Sequence, residues 1–441
     1  MHHFKLQPLT ASCPGLFRWC LDFPKNDQPA DAAILLKQGA VFQGWVLAES
    51  NSDVEPYVRS GTEKTLLPLS IKRPDVIEKV LNARPEEYNQ LLCGFRTEVP
   101  MPAANGAFGV RVNGVDTDLV LFRIEGALRI LEGHEGWLFL DNDTNRSVEQ
   151  FRGQWLLDKP QLAAWHAYFD GLASLAQAQA LRYAVLIAPA KEAVMARFYP
   201  YPKGKTTPVE QVMELAVGHP VVHPVEELQR DTERPFRQCD THWTPQGAMH
   251  SLLAALRAMG LDTGPIEALF AKDVYVERLQ GGDLGNKLYP PRRANELFLK
   301  GASYRQWVVY DNHLPNMGRV MVLRNEDAVL DERCVIFGSS SSYTMLDYIG
   351  RVFSEVVFIH SAGHVDSRLL QPLAPSALLL QTNGRFVVRP PVVEYDLQQE
   401  IHAKWAELGD QEQAAVLEKQ KGFLKHPLSS PERELHDLLP D

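Results

Sequence analysis

The sequence predicts an α/β protein: a parallel sheet covered by helices, preceded by a small β-sandwich and followed by a helical tail. Three observations carry this expectation. Residues 1–120 hold short apolar runs separated by Gly, Asn and Ser, the pattern of closely spaced strands. From Lys159 to Thr382, apolar runs of strand length alternate with amphipathic stretches of helix length, which implies parallel strands covered on both faces. Residues 391–441 are polar with a helical pattern and read as an appendage. The expected domains are therefore 1–120, 121–390 and 391–441.

In the first region, "AAILLKQGAVFQGWVLAES" and "YVRSGTEKTLLPLSI" supply short strands. "CGFRTEVPMPAANGAFGVRVNGVDTDLVLFRI" adds more, with Asn105-Gly106 and Asn113-Gly114 as hairpin turns. One helix is expected there, "DVIEKVLNARPEEYNQLL". In the second region, "KPQLAAWHAYFDGLASLAQAQALRY" is a long helix whose Leu162, Trp165, Phe169, Leu172 and Leu175 share a face. "AVLIAPA" follows as a buried strand. "TPQGAMHSLLAALRAMG" is a helix with Thr244 as N-cap, Pro245 in the first turn and Gly260 as its stop. "RCVIFGSSSSYTMLDYIGRVF" reads as strand, sharp turn and helix, and "EVVFIH" and "SALLLQT" as two more buried strands.

Bulk properties exclude several classes. The 441 residues suffice for two or three domains. A net charge of −10 offers no basic surface for nucleic acid or an anionic membrane. No apolar run approaches the ~18 residues of a membrane span. The opening "MHHFKLQPLTASCPGLFRWC" lacks an apolar core of signal-peptide length. Cys13, Cys20, Cys93, Cys239 and Cys334 are scattered and form no CxxC pair, so neither zinc nor a disulfide framework is indicated. A cytoplasmic, reduced protein is expected.

Two stretches carry chemistry. In "VIFGSSSSYTM" a strand ends at Gly338 and a helix begins near Ser342. A serine on that turn sits where α/β sheets place ligands, beside helix N–H groups that can stabilise an oxyanion. Its plainer role is to cap the helix. Ser340 is the first choice for a nucleophile, with Ser339 and Ser341 as neighbours. In "CDTHWTPQGA", His242 has the chemistry of a general base and Asp240 that of its orienting carboxylate. The plainer role is a polar turn with His242 and Trp243 partly buried. A metal site is not expected: Pro220 and Pro224 break any helix joining His219 and His223, and no H-E-x-x-H is present. "GGDLGNKL" is a Gly-rich turn without a dinucleotide or Walker context, in which Gly281, Gly282 or Asn286 could serve an oxyanion.

These pieces together resemble one family, the SGNH-hydrolase-like domains of alginate O-acetyltransferases and related polysaccharide acetyltransferases. "EGHEGWLFLDND", "LIAPAKEAVMARFYP" with Pro189, Lys191 and Glu192, "CDTHWTPQGA", "GGDLGNKL", "VIFGSSSSYTM" and "SALLLQTNGRFVV" match its segments in order, over Leu128 to Val388. The resemblance implies an SGNH-like α/β/α sandwich with Ser340 as nucleophile, His242 as base and Asp240 as orienter. Trp243 and Arg385 are implied as further site residues. The chain departs from the family at Ser339, where an acidic residue or Thr is usual, and at Gly384, where Glu is usual. "FQGWVLAES", "SIKRPDVIEKV" and "CGFRTEV" also resemble a β-sandwich module found beside bacterial glycosyltransferases, carried by Trp45, Arg73, Asp75 and Phe95.

The implied activity is a carbohydrate O-acyltransferase, with acetyl as the expected group, in bacterial polysaccharide or glycan biosynthesis. No bound cofactor is expected. The acyl donor would be acetyl-CoA or an acyl-carrying partner, and the acceptor a carbohydrate or sugar precursor, with glycan-biosynthesis proteins as possible partners. The same triad with water as acceptor is a carbohydrate acetylesterase. A non-catalytic glycan-binding or assembly protein is the alternative from another class.

Overall fold

Asn113 and Gly114 adopt φ of 51° and 85° and close a tight hairpin in which Val112 faces Val115, as an Asn-Gly turn favours. That hairpin belongs to the first of two compact units in the computed structural model of the chain: Met1–Ile130 with Gly281–Arg293, and Leu131–Gln280 with Ala294–Asp441. The structure describes residues 2–49, 52–87, 89–126, 130–231, 234–425 and 427–440. Tyr88 of the expected first helix and Leu128, where the family resemblance begins, lie outside them.

The first unit pairs a six-stranded sheet with a four-stranded one, and every strand pairing described in them is antiparallel. Phe42 and Phe95 from one sheet and Phe108 and Phe122 from the other share one core. Asn105-Gly106 is not a turn, contrary to expectation. It opens the strand Asn105–Val112, where a Cβ on Gly106 would lie 2.2 Å from the Phe122 ring. The expected helix is also shorter, Pro74–Leu81. Asn82 ends it in the left-handed region at φ 51°, and Pro85 disfavours continuation. Trp45 and Phe95 are core residues, and Arg73 grips Asp75 with two hydrogen bonds of 2.9 and 2.8 Å. The segment Gly281–Arg293, expected in the second domain, belongs to this unit, with Tyr289 in its core.

The second unit is mixed α/β. Its sheet runs, in spatial order, Val221–Val222, Arg182–Ala188, Ala377–Asn383, Leu330–Gly338, Phe353–His360, Val320–Arg324 and Val308–Asp311. The first five strands are mutually parallel, as the alternating pattern predicts. Of the last two, Val320–Arg324 runs antiparallel both to Phe353–His360 and to Val308–Asp311, which corrects the expectation of a parallel sheet. The link 312–319 joining them is too short for the crossover that parallel strands require.

Alternate residues along the parallel strands enter two cores. Leu186, Ile336 and Phe358 meet Leu252 and Leu256 of the helix Pro245–Ala258 and Met345 of the helix Ser342–Ile349. Ile187, Phe337 and Ile359 meet Trp165, Phe169 and Leu172 of the helix Lys159–Gln179. Each such side chain contributes about 1.5–3 kcal/mol by burial. Residues 391–441 hold helices at Leu397–Glu407, Asp410–Gln420 and Ser430–His436. Rather than hanging free as an appendage, they put Leu397, Ile401 and Leu435 into the second core.

His360 ends its strand only 6% exposed, with Nδ1 3.2 Å from the Tyr343 hydroxyl. Burial, aided by the Arg319 charge, pushes its imidazole from 6.5 down to about 4. The unfolded chain therefore takes this proton at higher pH than the folded one. The stability this site contributes is full above about pH 6.5 and falls by roughly 3 kcal/mol as pH drops to about 4. Denaturant unfolding across that window should show a shallower loss for His360→Asn than for the wild type; equal slopes would remove His360 as the cause.

Candidate active site

The strands Arg182–Ala188, Ala377–Asn383 and Leu330–Gly338 are parallel neighbours, so their carboxyl ends open together on one edge of the sheet. Such an edge is where α/β sheets bind ligands. Gly338 ends the strand Leu330–Gly338, where a Cβ would come within 2.2 Å of the Ser342 Oγ and displace it.

The four serines separate by their partners. Ser340 Oγ lies 3.1 Å from His242 Nε2. Ser339, 1% exposed, bonds Gln381 Oε1 through both its N–H (2.8 Å) and its hydroxyl (2.9 Å). Ser342 donates to the same oxygen at 2.8 Å, and Ser341 donates to Asn383 Oδ1 at 2.9 Å. Three hydroxyls are thus committed to the amides that end the last strand, and Ser340 alone meets the imidazole.

His242 stands in the turn before the helix Pro245–Ala258, whose Thr244 N-cap accepts from the Gly247 N–H. Asp240 Oδ1 accepts from both the His242 backbone N–H and Nδ1, each at 2.8 Å. Burial raises the Asp240 carboxyl, but the His242 hydrogen bonds and charge, with that of Arg237, outweigh it and hold the group below the usual carboxylate range. An ionised Asp240 keeps the proton on Nδ1 and turns the Nε2 lone pair to Ser340. Trp243, 1% exposed, donates from Nε1 to the Ser341 carbonyl at 3.1 Å and so ties the histidine turn to the serine turn. Lys191, 5% exposed, donates to the carbonyls of Leu138 (2.6 Å), Gln238 (2.9 Å) and Asp240 (3.0 Å).

Arg385 follows the strand Ala377–Asn383, pairs with Asp143 at 3.5 Å and lines the space beside Ser340. Gly282 and Asn286 fold within the first unit, where Gly282 opens the short helix Gly282–Gly285 and Asn286 follows it.

Sequence reasoning missed Gln381 and Asn383. The available signal was two amides two residues apart on one face of a strand apolar but for Thr382. Their orientation follows from donor bookkeeping. Ser339 N–H can only donate, so it takes the Gln381 oxygen. The Gln381 –NH2 then faces Asn383 Oδ1 at 3.0 Å, which leaves the Asn383 –NH2, on a residue lining the same space, as a donor uncommitted among the described residues.

That space is a cavity of about 40 Å³ bounded by His242, Trp243, Ser340, Ser341, Asn383 and Arg385. A cavity of about 640 Å³ shares its wall: Ser147, Ala190, Glu192 and Arg385 line both. Burial raises the Glu192 carboxyl, against the smaller opposing effect of the Arg385 charge. No helix among the described residues is long and apolar enough to cross a membrane.

No family model matches this chain, and no curated protein matches it. Among solved structures it is similar to PatB1 of Bacillus cereus at 13% identity and a TM-score of 0.44, over 61% of this chain and 98% of that one. It is also similar to a DHHW family protein of Eubacterium siraeum at 10% identity and a TM-score of 0.41, over 60% and 99%. A third likeness is to the O-acetyltransferase domain of Pseudomonas putida AlgJ, at 15% identity and a TM-score of 0.34, over 65% and 98%.

The partner pattern predicts the reactive serine. A fluorophosphonate should label Ser340 alone, as read by peptide mass spectrometry, and Ser340→Ala should abolish labelling. Adduct on Ser339 or Ser341 in the wild-type protein would contradict the assignment.

Proposed function

We propose that the chain is a carbohydrate O-acetyltransferase working through an acyl-Ser340 intermediate, in the biosynthesis of a bacterial glycan. The observation that carries this reading is the unbroken hydrogen-bonded line from Ser340 Oγ through His242 to Asp240, at the carboxyl ends of parallel strands. The second unit is accordingly read as an SGNH-like α/β/α fold, in keeping with the motif order in the sequence.

The steps follow from the groups present. His242 Nε2 takes the Ser340 proton as Oγ attacks the donor's acyl carbonyl. The donor's leaving group departs with that proton, leaving Ser340 esterified. The acceptor hydroxyl then gives its proton to Nε2 while its oxygen attacks the ester. The tetrahedral adduct collapses, and Ser340 regains the proton. The Ser340 N–H and the Asn383 –NH2 are the proposed oxyanion donors. The cavity at Ser340, about 40 Å³, has room for only a few water-sized groups, which suits acetyl better than a long acyl chain. Acetyl-CoA in the cytoplasm, or an acyl-carrying partner, is the proposed donor.

The test is p-nitrophenyl acetate with the purified protein. Nitrophenol should appear with a mass gain of about 42 Da on Ser340, one acetyl in place of a proton. Ser340→Ala and His242→Ala should each lose roughly 10⁴-fold or more of turnover. Asn383→Asp, which keeps the acceptor oxygen but removes the –NH2, should lose about 100- to 1000-fold. A wild-type protein as inert as its variants would sink the reading in favour of a non-catalytic glycan-binding role. Adding sugar acceptors distinguishes transferase from acetylesterase, since only the former yields acetylated sugar at the expense of free acetate.

A further inference from the structure

The cavity of about 640 Å³ beside the triad lies within the ~300–1,000 Å³ typical of small-molecule sites. Its lining is amphipathic. Phe151, Val209 and Met213 supply apolar surface, and polar groups gather at the wall shared with the Ser340 cavity. Ser147 on that wall is 3% exposed, and its hydroxyl has no hydrogen-bond partner among the described residues. A buried hydroxyl left without a partner is uncommon in a folded protein and marks a place for a ligand group. No side chain among the described residues is hydrogen-bonded or ion-paired with the Glu192 carboxyl, which lines the same wall.

The charge of the lining restricts what can occupy it. Glu192, Glu210, Glu226 and Glu227 outnumber Lys203 and Arg385. Both cations are already engaged, Lys203 with Glu210 and Arg385 with Asp143. A phosphate or carboxylate entering here would find carboxylates without an uncommitted cation to offset them, and like charges disfavour such a ligand. His223 brings no positive charge either: burial lowers its imidazole, and Nδ1 is held by the Ile187 carbonyl at 2.8 Å. An uncharged sugar fits on both counts. Its C–H faces suit the apolar wall, and its hydroxyls both donate and accept.

We infer that this cavity is the acceptor subsite and that it takes an uncharged sugar, neither uronate nor sugar phosphate, with Glu192 and Ser147 reading its hydroxyls beside the triad. The inference rests on the transferase reading for its role, though not for binding itself. Burial raises the Glu192 carboxyl toward its neutral form, which can donate a hydrogen bond as well as accept one. Glu192→Gln retains both capacities, and Glu192→Leu retains neither.

Isothermal titration of the full chain carrying Ser340→Ala, with cellotetraose and tetragalacturonate, tests this without turnover. Cellotetraose should bind at least about tenfold more tightly than tetragalacturonate. Adding Glu192→Leu should weaken cellotetraose about tenfold or more, while Glu192→Gln should stay within about threefold. Equal or tighter binding of the uronate overturns the inference, as does indifference of cellotetraose to Glu192→Leu in a variant that unfolds at the same temperature as its parent. Binding of neither sugar also overturns it. The nitrophenyl acetate assay reads the triad separately. Acylation of Ser340 without sugar binding removes this subsite alone, whereas Glu192-dependent sugar binding without acylation keeps the subsite and removes the transferase.

Discussion

The Lys191 ammonium is 5% exposed, and it gives hydrogen bonds to the carbonyls of Leu138, Gln238 and Asp240 while lying 5.0 Å from the Trp137 and Phe139 ring centroids. A buried ammonium must be solvated by something, because moving it from water into an apolar interior is expensive. Here three backbone carbonyls from two distant segments do that work. They converge on one point just past the end of the strand Arg182–Ala188. The turn carrying Asp240 and His242 has little regular structure of its own, only a single bridge between Phe236 and Trp243. Its position is held by that ammonium and by the Trp243 indole on the Ser341 carbonyl, together with the Leu138 N–H on the Gln238 carbonyl and the Gln238 N–H on Glu296. The geometry of His242 toward Ser340 is therefore set by groups that never touch the reacting atoms.

A second polar arrangement sets one of the four serines apart from the others. Gln381 and Asn383 are 0% and 8% exposed, at the end of a strand whose other residues are apolar but for Thr382. Every buried amide and hydroxyl there needs a partner. The network meets that need among Ser339, Ser341, Ser342, Gln381 and Asn383, which leaves Ser340 outside it and facing the imidazole. Three of the four hydroxyls are occupied holding the turn together, and Ser340 is the one that meets the imidazole. The Ser339 hydroxyl is held to Gln381 and so stays out of reach of this choice.

How much of this was legible in the sequence follows from the range of each interaction. Thr244, Pro245 and the Asn113-Gly114 turn were readable because caps and tight turns are decided by adjacent residues. The parallel strands were readable because burial on both faces leaves continuous apolar runs. Asn105-Gly106 misled because its glycine answers to Phe122, a neighbour on another strand rather than in the chain. The antiparallel edge at Val308–Asp311 and Val320–Arg324 was missed, since its apolar runs look like those of any buried strand and only the short link betrays the direction. In the candidate site, the residue types of Asp240 and His242 were visible two positions apart. The choice among four serines was not, because it is made by amides some forty residues later in the chain.

Two carboxyls close to Ser340 show how one fold assigns opposite tasks to the same group. Asp240 and Glu192 are both largely removed from water, and burial alone would raise both. Asp240 escapes because His242 supplies two hydrogen bonds and a partner charge, and it stays an anion fit to hold an imidazole. No side chain among the described residues is bonded to Glu192, and a backbone hydrogen bond and the Arg385 charge lower it by less than burial raises it. It is driven toward the neutral acid. A pair of carboxyls pushed apart in this way is the signature by which acid and base roles are divided in enzyme sites. Under the proposed transferase reading, Asp240 would serve the imidazole and Glu192 the acceptor, on either side of the wall the two cavities share.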